Sequence, residues 1–148
     1  MSFQIVEMED LSGPKAHIYS VVLDNEEETL LEQFFDEYRD NELAQAMYNK
    51  IAAMAKRTGC RREYFREGEG NFGDGVVALA IGNLRLYGIY FNQTLVLLGS
   101  GGVKNVRTYQ EDPELNKKVE QIKSVASEIN KAIREKGISI SEDGELSD

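Results

Sequence analysis

The sequence predicts an α+β domain in which helices cover one face of an antiparallel sheet. Three observations lead there. Residues 75–98 fall into three apolar, alternating runs joined by Gly82-Asn83 and Asn92-Gln93, the pattern of a tight meander. Leu30, Leu31, Phe34, Phe35 and Tyr38, and then Leu43, Ala46, Met47, Ile51 and Met54, recur at helical spacing and predict a helix hairpin. Leu115, Val119, Ile122, Val125, Ile129 and Ile133 mark a long amphipathic helix after the meander.

The elements follow in order. Phe3 to Met8 and His17 to Leu23 read as short strands around a turn at Ser12-Gly13-Pro14, because Ile18, Tyr19, Val21 and Val22 favour extended backbone. Asp24 or Asn25 is the expected cap of the first helix, with Glu26 to Glu28 in its first turn. Asn41 can cap the second helix, about 42–57, and Gly59 ends it. Cys60 to Arg66 reads as a strand, and 67–74 as a Gly-rich connector. Strands follow at 75–81, 84–91 and 94–98, and Gly99 to Gly102 reads as a flexible break. Asp112 before Pro113 caps the last helix, which ends at Gly137. One domain is expected over 1–137, with an acidic, mobile tail over 138–148.

Composition narrows the function. The chain has 148 residues, a net charge of −9, one Cys and one His. No run approaches the ~18 apolar residues of a membrane span, and the N-terminus lacks a basic region followed by an apolar one. No metal-type Cys/His spacing exists, so no metal and no cofactor are expected. These features suit a cytoplasmic protein. Charge is segregated. Residues 1–49 carry 12 acidic against 2 basic groups, whereas 50–109 carry 9 basic against 4 acidic. An acidic whole argues against general nucleic-acid affinity but leaves room for one local anion-binding surface.

In the run LRLYGIYF, Leu84, Leu86 and Tyr90 share one face and Arg85, Tyr87, Ile89 and Phe91 the other. Helices on the leucine face would leave Arg85 and Tyr87 on a partly open face. Arg61, Arg62 and Arg66 precede the meander, and Lys104, Arg107 and Tyr109 follow it. Cations with Tyr between them on a concave sheet could bind a phosphate backbone and stack a base.

The segment LRLYGIYF, then TLVLLGSGGVKN, then a Pro-started helix, resembles the RelE/HigB-like toxins of bacterial toxin–antitoxin pairs, with their phage relatives. The resemblance covers about 17–135. It implies a RelE-like fold, and a metal-free endoribonuclease that cuts messenger RNA on the ribosome by 2′-hydroxyl attack and is held off by a cognate antitoxin. By position, Arg85 matches the strand arginine and would hold the phosphate. Lys104 or Arg61 would assist charge or proton transfer, Tyr87 or Tyr109 would stack or donate, and Arg62, Arg66 and Arg107 would hold RNA. Two positions depart from the family pattern: the strand before Arg85 reads VVALAI without an arginine, and the paired lysines are reduced to Lys104-Asn105. The resemblance equally admits a ParE-like poison that binds gyrase without chemistry, or a catalytically degenerate relative whose acidic surface serves protein contacts.

Other signals are set aside. Gly68 to Gly73 fits G-x-G-x-x-G but opens a strand rather than a helix. His17 is read as structural because no partner is indicated, and Cys60 as an inert thiol despite Arg61 and Arg62 beside it.

Overall fold

β1 (Phe3–Glu7) and β2 (His17–Leu23) form the expected hairpin, with Phe3 opposite Leu23 and Glu7 opposite Tyr19. The computed structural model describes residues 2–67 and 75–147, so the G-x-G-x-x-G stretch and nearly all of the Gly-rich connector lie outside the described residues.

Helix α1 (Leu30–Glu37) starts at Thr29. The Thr29 hydroxyl accepts from the Glu32 amide at 3.0 Å, and the Glu32 carboxylate accepts from the Thr29 amide at 2.9 Å. This corrects the expected start at Asp24 or Asn25. The reciprocal Thr-x-x-Glu box closes directly before the apolar Leu30, Leu31 and Phe34, so the helix begins where its buried face begins. Helix α2 (Glu42–Ala53) is capped by Asn41 as expected, and a π-helical turn at Met54–Thr58 carries it to Gly59, whose φ of 78° ends it.

The segment from Cys60 is not a strand. It makes a 3-10 turn at Arg62–Tyr64, and only Arg66 reaches the sheet, through two hydrogen bonds with Ala78 at 2.8 and 2.9 Å. Phe65 is the inward side chain here, edge-on to Tyr90 at 5.2 Å. The turn buries Cys60 and Phe65 and leaves Arg61 and Arg66 exposed.

β3 (Val76–Ile81), β4 (Leu84–Asn92) and β5 (Leu95–Val103) make the meander. The sheet order is β1-β2-β5-β4-β3, and β2 runs parallel to β5. The sheet is therefore mixed, which corrects the all-antiparallel expectation. The chain leaves β2 through both helices, adds β3 and β4 at the far side and returns beside β2 in the same direction, a crossover long enough to allow parallel pairing.

Helices lie on both faces, which corrects the one-face expectation. Leu84 and Leu86 pack with Leu31, Phe34, Met47 and Ile51 of α1 and α2. Tyr87 and Ile89 pack with Val119, Ile122 and Ile129 of α3 (Pro113–Arg134), which Asp112 caps. β4 and β5 are apolar on both sides, so a single helical layer would leave one side in water. α1 packs against β2 and β5, and α2 against β3. The acidic tail has structure of its own. Ser139–Ile140 and Leu146–Ser147 pair as β6 and β7, Ile140 and Leu146 join the α3-side core, and the Leu146 amide donates to the Tyr19 hydroxyl at 3.2 Å.

β5 runs unbroken through Gly99–Gly102, the expected flexible break. Its glycines exist for proximity. A Cβ at Gly101 would stand 1.8 Å from the Arg85 carbonyl oxygen, which is backbone and cannot step aside. At Gly102 the nearest atoms are the Tyr38 hydroxyl at 3.1 Å and a Leu115 methyl at 3.2 Å, both ends of movable side chains. Gly101→Ala should therefore destabilise the fold by about 3 kcal/mol and Gly102→Ala by under about 1 kcal/mol in urea titrations. Equal, small losses at both sites would refute the close backbone approach.

Candidate functional site

The residues expected to cut RNA fall into two separate groups. Arg85 is 8% exposed on the α3 side of β4, and its Nη1 donates to the Gly82 carbonyl at 2.8 Å and the Leu84 carbonyl at 3.3 Å. Lys104 is half-buried just past β5, its amide bonded to the Asn83 carbonyl at 2.7 Å, so both residues flank the β3–β4 turn. Arg107 is exposed near this end, and its backbone amide donates to the Glu111 carboxylate at 2.9 Å. Tyr87 and Tyr109 are 1% and 2% exposed and belong to the core under α3, so neither ring faces a base.

Arg61, Arg62 and Arg66 gather elsewhere. Arg62 sits with its guanidinium 4.8 Å from the centre of the Tyr90 ring and pairs with Glu67. The Tyr90 hydroxyl donates to the Cys60 carbonyl at 2.7 Å, which ties this cluster to the helix-pair side of β4. Arg61 and Arg66 are exposed beside it. Arg85 and Tyr90 are five residues apart on one strand, about 17 Å, and point to opposite faces. One scissile phosphate cannot touch both clusters.

Other expected roles also change. His17 has a partner: its Nδ1 lies 2.7 Å from a Glu7 carboxylate oxygen across the β1–β2 hairpin. The hairpin register carries that signal, because Glu7 faces Tyr19 on the same side as His17. Burial pushes the Cys60 thiol up to about 12, so it stays a protonated, unreactive group despite two neighbouring arginines. Among the described residues no group of three or more His, Cys, Asp or Glu could hold a metal. Lys118 on α3 is engaged in fastening layers, donating to Gly101 on β5 at 2.6 Å and Glu37 on α1 at 3.0 Å.

A concavity lies on the helix-pair side, between α1 and the segment that runs from β1 into the turn. It encloses about 800 Å³. Its apolar floor is Val6, Met8, Leu11, Leu31, Phe35 and Tyr48, and its rim carries Glu9, Asp10, Glu28, Glu32 and Asp36, while Glu7 borders it with its carboxylate turned to His17 on the α3 side. Among the described residues no Lys, Arg or His lines it. A smaller recess of about 230 Å³ shares Phe35 and Tyr48, extends the floor to Ala44 and is bordered by Arg39. Phe35 and Tyr48 meet edge to face at 5.4 Å, and Tyr48 is an exposed large apolar side chain, 36% open. Some rim charge is already in use: Glu32 closes the α1 cap and Asp36 pairs with Arg39 at 2.6 Å. Glu9, Asp10 and Glu28 stand exposed. The sequence signal for this groove is the acidic excess of residues 1–49, read above only as one half of the charge segregation.

No family model, curated protein or solved structure matches the chain.

The Cys60 environment makes a direct test of the local packing. A thiol raised to about 12 is neutral at pH 8, so the native protein should react with an aromatic disulfide reagent only as fast as it unfolds. Urea should restore full labelling within minutes. Fast labelling of the native protein would show an accessible, ionised thiol and overturn the buried placement.

Proposed function

We propose that this chain is a non-enzymatic protein-binding domain that takes up a basic partner in the acidic groove between β1 and α1. The observation that carries the reading is the groove itself: an apolar floor, five carboxylates on the rim and, among the described residues, no cation lining it. An apolar centre with one sign of charge around it gives both burial energy and steering toward an oppositely charged partner. A helix pair before a meander and a helix after it are what the RelE/HigB-like resemblance implies, whereas here two strands come first and the sheet is mixed. The proposed role therefore corresponds to the interaction branch of that resemblance. Metal-free cleavage of messenger RNA is the second reading, favoured by Arg85 and Lys104 flanking one turn.

Poly-lysine of about 20 residues is a suitable probe, with heat of binding as the readout. Binding should weaken at least about fivefold between roughly 0.05 and 0.5 M salt. The double variant Glu9→Lys, Glu28→Lys should lose most of the affinity. Glu142→Lys with Asp143→Lys changes net charge equally in the tail hairpin and should leave most of it. Equal losses from the two pairs would mean that only net charge matters, and the groove reading would fall. Truncation of messages in a translation extract, lost on Lys104→Ala, would move the function to the nuclease.

A further inference from the structure

The groove has a shape as well as a charge. It occupies the place where a third helix of the α1–α2 layer would lie. A helix about 10 Å across spans about two strands at roughly 4.8 Å each, so two helices cover about four of the five strands, and a third would rest on the edge strand and overhang it. α1 takes β2 and β5, and α2 takes β3, which leaves β1 without a helix on this side. The consequence is visible in the side chains. Phe3 and Ile5 of β1 point to the α3 side and join that core, whereas Val6 and Met8 point to the groove and are only half-buried. On the opposite wall, Leu31 is fully buried, but Phe35, one turn on along α1, is half open, and Tyr48 beside it is exposed.

We infer that the partner presents a basic amphipathic α-helix, which lies between α1 and β1 as the third helix of that layer. This rests on the protein-binding reading above and adds the form of the ligand. The apolar stripe of such a helix would meet Val6, Met8, Phe35 and Tyr48. Lys and Arg at the stripe's edges would reach Glu9 and Asp10 on one side and Glu28 and Asp36 on the other. The two acidic walls belong to different elements, one before the β1–β2 turn and one along α1. Charge on both flanks of an apolar floor matches a helix with a cationic border on each side of its stripe. An added strand on the outer edge of β1 would pair backbone to backbone but would leave Phe35 and Tyr48 uncovered.

Two peptides of about 18 residues and identical leucine–lysine composition separate these ligands. One places leucines at i, i+3, i+4 and i+7, the other at alternate positions. Binding is followed by amide shifts of the labelled protein and by circular dichroism. The helix-patterned peptide should bind at least about tenfold tighter, gain helical signal on binding, and move the amides of Val6, Met8, Phe35 and Tyr48. Tyr48→Asp, at an exposed position that leaves the core alone, should erase that preference. A strand-patterned peptide that binds equally well or better, or a preference that survives Tyr48→Asp, would overturn the helical seat while leaving the basic-partner reading in place. Failure of both peptides and of poly-lysine to bind would remove both.

Discussion

The approach of β4 and β5 at Gly101 sets the geometry of the whole molecule. β5 is the strand that the layers share: it pairs with β4 along one edge and with β2 along part of the other, and α1 and α3 both pack on it. Pairing with β2 covers only Leu95 to Leu97. Beyond that point α1 packs against both strands, with the Leu31 amide bonded to the Ser20 hydroxyl at 3.2 Å. Leu30 then faces the α3-side core while Leu31 and Phe34 face the other. The Gly101 carbonyl, beyond the stretch that pairs with β2, is met by the Lys118 ammonium from α3. A half-buried lysine tied to a strand carbonyl and to Glu37 of α1 thus joins three elements at the point where the sheet stops being regular. Buried backbone acceptors need partners, and here a side chain supplies one.

Much of this was legible in the sequence. The meander, its two tight turns, the Asn41 and Asp112 caps and the alternation of LRLYGIYF are all realised. These are local features, decided by period, turn chemistry and capping within a few residues. Which face a helix covers is not local. Alternation shows that β4 has two sides, but only the chain path says that α3 lands on the side of Tyr87. Arg85 looked like the mark of an open face. It is buried because a strand position beside a turn lets the guanidinium reach two turn carbonyls. Glycine misled in the same way at 99–102, where it signals flexibility in a sequence and close approach in a sheet.

The candidate site was legible only as charge. The acidic excess of the first 49 residues was plain, but a run of glutamates at a helix start is ordinarily a solvated face. What turns it into a surface is the uneven coverage of the sheet. The α3 side is completed by the tail hairpin, whose Ile140 and Leu146 pack where α3 alone would stop short. The α1–α2 side has no equivalent segment among the described residues. Asymmetry between two otherwise similar layers is a tertiary property, and no window of sequence contains it.

Charge segregation gives the last step. Like charges gathered on one rim repel and oppose folding, so five carboxylates around an apolar floor are a liability unless something offsets them. Two of them do local work, with the α1 cap and Arg39. Glu9, Asp10 and Glu28 have no such local bond, although basic groups were at hand, since the arginines of 61–66 sit on the same side of the sheet. Those arginines are instead gathered around Tyr90 and Glu67, at the end of β4 away from Arg85. Arg39 meets Asp36, but among the described residues no cation lines the groove beside Glu9, Asp10 and Glu28. A partner that brings its own cations would cover the floor and relieve the repulsion together, which couples apolar burial to charge in one binding event.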